Sequence, residues 1–495
     1  MEVGHAKAGS RRTGSHWSAL LRRLARVAQY RALAEVWRPT SVALDVRQRE
    51  RLSNLIAFAR ARSPYYHALY RDLPVEIPDL RALPVVTKPE LMARFDEWVT
   101  DSRVTRAGVE AFAGDPSLVG KRYLNRYVVW TTSGTTGKLG IFVHDPQAVT
   151  VYTALVTLRY YRWMTLAQIW PSVLRWRVAT LVATGGHFAV AAWFERLRRE
   201  LAALPAAQRR VQVFSVLAPL GELTHQLNTF QPDCLLGYPS VINLLAEEQR
   251  ARRLRIAPTF IGVGGEGMEP GARTQIMEAF HCVLRELYGA SEFYAIASEC
   301  DQGWLHLNAD WVILEPVDTD YQPTPLGQLS HSVLLTNLAN RVQPLIRYDL
   351  GDSVVLKPEP CACGSPLPAM RVVGRQGDIL RLATPTGGSV ALLPLVIGAV
   401  VEETPGVRRA QVIQTGDDTL TVRLETAATA GPPAAVWERM ERRLRDYLAA
   451  QGLASVHIVR AAQAPRPSAT SGKFRHVWRE LPAAEPAERS ADATR

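Results

Sequence analysis

Between Tyr127 and Gly140 an apolar run, Tyr127-Val128-Val129-Trp130, breaks off into Thr131-Thr132-Ser133-Gly134-Thr135-Thr136-Gly137-Lys138. Everything after the tryptophan is small or hydroxylated until the closing lysine. Glycine lets the backbone turn tightly with its N–H groups pointing inward, and such a nest suits an anion. The hydroxyls add neutral donors, and Lys138 adds a mobile positive charge. The stretch therefore predicts a strand that ends in a loop gripping phosphate oxygens. Gly/Ser/Thr composition alone would also describe a flexible surface loop, but the apolar run before it and the single terminal lysine favour the phosphate reading. A Walker loop is excluded. It needs a glycine five residues before the Gly-Lys pair and Ser or Thr after the lysine, and Thr132 and Leu139 stand there.

The same grammar recurs down the chain. Strand-like runs Val178 to Thr184, Val211 to Val216, Cys234 to Leu236, Phe260 to Val263 and Val283 to Leu287 alternate with helical patterns such as Val149 to Arg162 and Val241 to Arg252. Most of these strands run into glycine-containing turns: Gly185-Gly186-His187, Gly237-Tyr238-Pro239-Ser240, Gly264-Gly265-Glu266 and Tyr288-Gly289-Ala290-Ser291-Glu292. The alternation predicts an α/β fold with mainly parallel sheets. Ligands in such sheets bind where the strands end. Upstream, Trp17 to Trp37 reads as an amphipathic helix with arginines on its polar face, packing onto the body of the protein rather than lying on a membrane. A second helix is expected from Val46 to Arg62. Ser63-Pro64-Tyr65-Tyr66 and Leu83 to Lys88 read as ordinary turns without chemistry. After Arg381 the pattern is helix Leu393 to Glu403, strand Ala410 to Gln414, a turn at Gly416-Asp417-Asp418, strand Leu420 to Leu424, helix Ala434 to Ala450 and strand Val456 to Val459. That is a small α+β unit of lid size.

A chain of 495 residues with 47% hydrophobic and 21% charged content belongs to the soluble globular class and is long enough for two or three domains. It has no uncharged apolar run of membrane-spanning length. Residues 1–16 are polar, lack a signal-peptide core and read as a disordered leader of a cytoplasmic protein; residues 481–495 read as a disordered tail. The net charge of +11 comes almost wholly from arginines scattered along the chain, with no basic tract interleaved with aromatics. This argues against nucleic-acid binding and for a compositional bias with some value toward anionic substrates. Of the 58 basic residues only Lys7, Lys88, Lys121, Lys138, Lys357 and Lys473 are lysines. Lys138 and Lys473 sit in glycine-containing loops, where a compact point charge is not replaceable by a planar guanidinium.

The cysteines are Cys234, Cys282, Cys300, Cys361 and Cys363, an odd number that argues against a disulfide framework. Cys361-Ala362-Cys363-Gly364 puts two thiols one residue apart on a knuckle, and Cys300 and His306 lie on a polar segment. Three sulfurs and one imidazole form the closed set expected of structural zinc. The plainer alternatives are buried thiols and a satisfied strand histidine.

Ser133-Gly134-Thr135-Thr136-Gly137-Lys138 resembles the phosphate-loop signature of the acyl-adenylate-forming enzymes, and the later motifs are most similar to their phenylacetate–CoA ligase branch. Capsule-biosynthesis and deazaflavin-coenzyme adenylyltransferase relatives are similar too. Tyr288-Gly289-Ala290-Ser291-Glu292 resembles the family's Tyr-Gly-x-Thr/Ser-Glu. The resemblance implies that Tyr288 and Gly289 face adenine, Ser291 the α-phosphate and Glu292 a magnesium ion. Gly265 and Glu266 look like the adenine-side segment, although Pro270 arrives later than in the family's Gly-x-Glu-Pro. Arg347-Tyr348-Asp349-Leu350-Gly351-Asp352 resembles Arg-Tyr-Arg-Thr-Gly-Asp, which makes Asp352 the ribose ligand; a carboxylate can accept both hydrogen bonds of a diol. Gly374-Arg375 matches the Gly-Arg before the hinge, so Arg375 would meet ribose or phosphate. Gly377-Asp378 replaces the usual Asp-Asp pivot. Ser471-Gly472-Lys473-Phe474 resembles the catalytic lysine loop. Relatives also carry a Cys…His pair and a Cys-Pro-Cys-Gly, which supports zinc at Cys300, His306, Cys361 and Cys363, with a Cys-to-His gap one shorter than expected.

The implied architecture is a large adenylate-forming domain over residues 17–376 and a mobile lid over 377–480. The implied reaction activates a carboxylic acid with ATP and magnesium and releases pyrophosphate, with Lys473, Glu292, Ser291 and Lys138 as catalytic residues. Tyr238, Phe293 and Tyr294 hint at an aromatic or flat acid. CoA is the acceptor the resemblance favours. However, Gly387-Gly388-Ser389-Val390-Ala391-Leu392-Leu393-Pro394 departs from the family's Arg-Gly-x-Asn-Val-Phe-Pro, which leaves an amine, a carrier-protein thiol or a hydroxyl open. A non-catalytic nucleotide-binding scaffold is the rival from another class, and the joint presence of Lys138, Glu292, Asp352 and Lys473 speaks against it. A homodimer is compatible with this reading.

Overall fold

The computed structural model describes residues 41–75, 77, 79–132, 140–161, 176–184, 186–265, 268, 272–372, 380–384, 387–392, 394–427, 430–466 and 477–480. The expected leader, the helix over 17–37, the phosphate-loop residues Ser133, Gly134, Thr135, Thr136, Gly137 and Lys138, and Glu266 lie outside the described residues. So do Arg375 with its pivot, Lys473 and the tail.

Short runs of aliphatic and β-branched residues, each halted by glycine, proline or a hydroxyl, build the strands. Strand β1 (Val128–Thr132) turns back into β2 (Gly140–His144), with Thr132 opposite Gly140. Strands β3 (Val178–Val182), β4 (Val211–Ser215), β5 (Cys234–Gly237), β6 (Phe260–Gly264) and β7 (Val283–Tyr288) are parallel, in the spatial order β4-β3-β5-β6-β7. Successive side chains of these strands alternate between faces. Leu235, Ile261 and Leu284 pack with Leu227, Ile242, Leu245 and Ile276 from helices Leu220–Phe230, Pro239–Arg250 and Ala272–Phe280. Their neighbours Cys234 and Phe260 pack instead with Tyr160, Tyr161 and Trp176. Apolar demand on both faces explains why these strands read as near-continuous hydrophobic runs.

Beyond β7 the sheet changes character. Strands β8 (Ala297–Glu299) and β9 (Leu305–Leu307) follow. Next, β10 (Val312–Val317), β11 (Ser332–Asn337) and β12 (Tyr348–Asp349) form a separate antiparallel sheet. Strands β13 (Val354–Leu356) and β14 (Ala369–Val372) then return to the large sheet, whose second half runs β7-β8-β9-β14-β13, antiparallel throughout. The fold is α/β, with a parallel block extended by an antiparallel wing.

The C-terminal region carries its own core. Hairpin β15 (Leu380–Ala383) and β16 (Ser389–Leu392) precedes helix Pro394–Glu402. Strands β17 (Val407–Gly416), β18 (Thr419–Thr426), β19 (His457–Arg460) and β20 (Val477–Arg479) pair in the order β19-β18-β17-β20. Ile397, Val401, Val412, Leu420 and Val422 pack with Met440, Leu444 and Leu448 of helix Pro433–Ala450. The buried Gln414 amide accepts from Arg381 N at 2.8 Å and donates back to Arg381 O, so β15 is tied to this sheet. Arg381 also reaches Glu247 at 3.4 Å, a half-exposed ion pair of little energetic weight.

Among the described residues, the expected helices are present with shifted ends. The Val46 helix begins at Ser41. The one expected over 149–162 starts at Pro146 under an Asp145 cap, which accepts from Ala148 N at 2.8 Å, and after Leu155 widens into a π-turn over Val156–Tyr160. In that turn Arg159 pairs with both Asp310 carboxylate oxygens at 2.8 and 3.0 Å, while Tyr160 donates to Arg285 O at 3.1 Å. No described helix is long and apolar enough to cross a membrane.

Candidate active site and metal centre

The ends of β5, β6 and β7 lie side by side, which brings Tyr238, Gly264-Gly265 and Tyr288 to one edge of the sheet. After Tyr288 the chain must turn at once. A Cβ on Gly289 would stand 2.0 Å from the Tyr294 carbonyl oxygen, so only glycine fits. Ala290 and Phe293 close the turn with reciprocal backbone bonds of 2.9 and 3.2 Å. The turn presents Ser291 and Glu292.

Two tyrosine–carboxylate pairs organise this edge. Tyr288 Oη donates to Asp352 Oδ2 at 2.7 Å, and Tyr348 Oη donates to Glu292 Oε1 at 2.8 Å. Glu292 is 5% exposed and Asp352 4%. A buried carboxylate is costly unless bonded, and a phenol supplies a neutral, strong donor. Ser291 Oγ donates to Thr131 O at 3.2 Å, joining the turn to β1, after which residues 133–139 follow in sequence. Of the expected site residues, the structure thus brings Ser291, Glu292, Tyr288, Gly289 and Asp352 together with the end of β1.

Gly265, at φ +85°, lies against the Tyr238 ring, whose atoms stand 3.1 Å from where a Cβ would project. Tyr294 stacks flat on Trp193, centroids 4.6 Å apart and planes 7° apart. Phe293 is fully buried in the main core, its ring edge-on to Tyr152 at 4.7 Å.

Two contributors carried no assigned role in the sequence reading. The Leu83-Pro84-Val85-Val86 segment is anchored beside β12: Val86 N donates to Arg347 O at 3.1 Å and Asp349 N to Val86 O at 3.0 Å. This places Lys88, first residue of helix Lys88–Ala93, beside the end of β1, where Nζ donates to Thr132 Oγ1 at 2.8 Å. The same hydroxyl accepts from Gly140 N at 3.2 Å. The scarcity of lysine was the available signal. Tyr348 was visible only as a letter within the Asp352 motif. Beside them, His187 passes its carbonyl to Thr131 N at 2.9 Å, and burial holds its imidazole below the ordinary histidine value.

The second cluster lies in the antiparallel wing. Cys300, His306, Cys361 and Cys363 bring their ligand atoms within 4.8 Å of one another. Cys300 Sγ is 3.8 Å from Cys361 Sγ, and Cys363 Sγ is 3.2 Å from His306 Nε2. His306 donates its other nitrogen, Nδ1, to Leu367 O at 2.9 Å, the outer-shell bond that aims Nε2 inward. Gly364, at φ +75°, lets the Cys361–Cys363 knuckle close, with its N–H on Cys361 O at 3.0 Å. Two knuckles joined to β8, β9 and β14 supply a soft, closed donor set suited to zinc. The shorter Cys-to-His spacing is accommodated because His306 sits on β9, paired with Ser298 on β8 and Ala369 on β14.

No family model matches the chain. Solved structures of 2-hydroxyisobutyryl-CoA ligase superpose over most of it. The form in complex with 2-HIB-AMP and CoA in the thioesterification state gives a TM-score of 0.54 at 19% identity, covering 89% of this chain and 90% of that one. The fold is that of the adenylate-forming enzymes. In sequence the chain is similar to phenylacetate-coenzyme A ligase of Thermus thermophilus, 24% identical over 375 residues, which cover 73% of this chain and 75% of the relative. It is also similar to Protein CapK of Staphylococcus aureus, 21% identical over 365 residues and 68% of each chain.

Proposed function

We propose that the protein activates a carboxylic acid, flat or aromatic, as an acyl adenylate and passes the acyl group to CoA. A carboxylate oxygen attacks the α-phosphorus of ATP and the bond to pyrophosphate breaks; the acceptor thiol then attacks the acyl carbon and AMP leaves. No protein nucleophile is needed, since positioning and charge neutralisation carry such a reaction. The observation that carries the reading is the convergence of Tyr288–Asp352 and Tyr348–Glu292 beside Ser291 and Thr131, three strand ends that share no motif in sequence.

In this reading Asp352 accepts from the ribose hydroxyls, Tyr288 and Gly265 flank adenine with Gly289 behind them, and Glu292 holds magnesium. Bound magnesium would neutralise phosphate charge. Ser133, Gly134, Thr135, Thr136, Gly137 and Lys138 wrap the β- and γ-phosphates, with Lys88 at their base. Glu266 is assigned to the adenine side and Arg375 to ribose or phosphate. Tyr238 and the Trp193-backed Tyr294 border the acid, while Phe293 supports the turn from the core. Residues 377–480 act as the lid that delivers Lys473 to the α-phosphate as charge builds up. Cys300, His306, Cys361 and Cys363 hold a zinc ion that staples the wing and carries no step of the reaction.

ATP–pyrophosphate exchange across a panel of aryl and aliphatic acids tests the first step. Exchange with one class of acid is expected, and silence with every acid while ATP still binds would favour a non-catalytic scaffold. Lys473→Ala should lose exchange and keep ATP binding. The sequence over Gly387 to Pro394 favours a second reading, with a non-CoA acceptor. Mass spectrometry with and without CoA decides between them: an adenylate left unchanged by CoA removes the thioester step.

A further inference from the structure

Three side chains far apart in sequence grip the Ser291-Glu292 turn from behind. His144 closes β2, Tyr152 lies in helix Pro146–Leu155, and Asn337 closes β11. His144 Nε2 is 2.9 Å from Ser291 O, and its Nδ1 is 3.2 Å from Tyr152 Oη. Asn337 Nδ2 is 2.9 Å from Tyr152 Oη and 2.9 Å from Glu292 O. All three side chains belong to buried residues, with Trp130 over the His144 ring at 4.2 Å.

The direction of every hydrogen bond in this chain follows by elimination. Asn337 Oδ1 accepts from the N–H groups of Ala339 and Asn340 at 3.0 and 3.1 Å, which settles which end of the amide is nitrogen. Its two N–H bonds then go to Tyr152 Oη and Glu292 O. A carbonyl oxygen only accepts, so the His144 hydrogen sits on Nε2 and points at Ser291 O. Nδ1 of a neutral ring must therefore accept, and Tyr152 donates to it while accepting from Asn337. Burial pushes His144 down to about 3, which keeps the ring in this neutral form.

We propose that Asn337, Tyr152 and His144 are a positioning relay that locks the backbone on both sides of Glu292. The assignment rests on the adenylation reading of Glu292. The carbonyl of Ser291 belongs to the peptide plane before the Glu292 Cα, and the carbonyl of Glu292 to the plane after it. Peptide planes are rigid, so holding both oxygens fixes φ and ψ of Glu292 and with them its Cα–Cβ bond. Tyr348 holds the other end of the side chain. The carboxylate is thereby aimed before any ion arrives, which is the condition for preorganised binding.

The test uses the full-length chain and three variants. His144→Leu removes both bonds of the ring. Tyr152→Phe breaks the middle link with the ring shape kept, and it serves alone if the leucine variant does not fold. His144→Gln keeps an N–H within reach of Ser291 O. Both disruptive variants should raise the magnesium concentration that half-saturates ATP–pyrophosphate exchange, by about tenfold, the worth of one ordinary buried hydrogen bond. KM for the acid should hold near wild type, and His144→Gln should recover most of the shift. Nitrogen-15 spectra of histidine-labelled protein, assigned by the signal missing in His144→Gln, should show an Nε2–H tautomer. An Nδ1–H tautomer overturns the proposal, as does a folded Tyr152→Phe chain with an unchanged magnesium midpoint. Absence of exchange in the wild type would instead overturn the adenylation reading and the role built on it, while the tautomer still reports whether the relay exists.

Discussion

The Ser291-Glu292 turn and the Cys300–His306–Cys361–Cys363 knuckle are both buried polar clusters, yet they differ in what holds them. In the turn good donors face the carboxylates and carbonyls: phenol to carboxylate at 2.7 and 2.8 Å, amide and imidazole to backbone carbonyls at 2.9 Å. In the knuckle the nearest pairs are thiol with thiol at 3.8 Å and thiol with imidazole at 3.2 Å. Thiols are weak donors and weak acceptors, so those contacts contribute little. Deprotonated, the sulfurs would repel. The turn is therefore assembled by the polypeptide itself, whereas the knuckle makes physical sense around a cation.

The comparison breaks most visibly at the knuckle. Cys361→Ser, or chelation of the native chain, should remove about one zinc per chain. Tight metal linkage is worth about 4 kcal/mol, so Tm should fall by roughly 5 °C. Metal analysis and calorimetry check both, with hydrogen exchange rising first at β8, β9 and β14. A metal-free native chain with the same melting curve would remove the contrast.

The turn should respond in activity rather than in stability. Tyr348→Phe strips a donor from the buried Glu292 carboxylate. A hydrogen bond to a charged group is worth about 1.5–3 kcal/mol, so exchange at saturating ATP should fall about ten- to hundredfold in a folded protein. Tyr288→Phe acts on Asp352 and should raise KM for ATP by about tenfold with a smaller change in kcat. Equal effects of the two substitutions on KM and kcat would show that the carboxylates do not divide their work as proposed.

The smallest effect is in pH. His144 titrates at 6.5 when unfolded and, buried, at about 3 when folded. The unfolded chain binds the proton first, so this group's contribution is complete above pH 6.5 and is lost as pH falls toward 3. The slope is at most about 1.4 kcal/mol per pH unit. Between pH 7 and pH 5 the native chain should lose up to about 2 kcal/mol more than His144→Gln, read from urea melts.

How far the sequence reached follows the same divide. The parallel strands were legible because burial on both faces writes an apolar run and the following turn writes a glycine. Strands β8, β9 and β12 were not: they are two or three residues long and carry Ser298, Glu299, His306 and Asp349. Polar residues satisfied within a sheet leave no period to read. Tyr288, Ser291, Glu292 and Asp352 were legible as motifs, and Cys361-Ala362-Cys363 as a knuckle. Lys88 was legible only through the rarity of lysine. His144, Tyr152 and Asn337 left no trace, since each looks like an ordinary core or turn residue and their meeting depends on the segment after β11, whose Asn340 and Gln343 hydrogen-bond Val143 of β2.

Calorimetric titration of the full chain with ATP and magnesium tests the central claim most directly. The account predicts one saturable site per chain that weakens at least about tenfold in Asp352→Ala. A chain that takes up no ATP, or an Asp352→Ala variant that binds it as the wild type does, would contradict it.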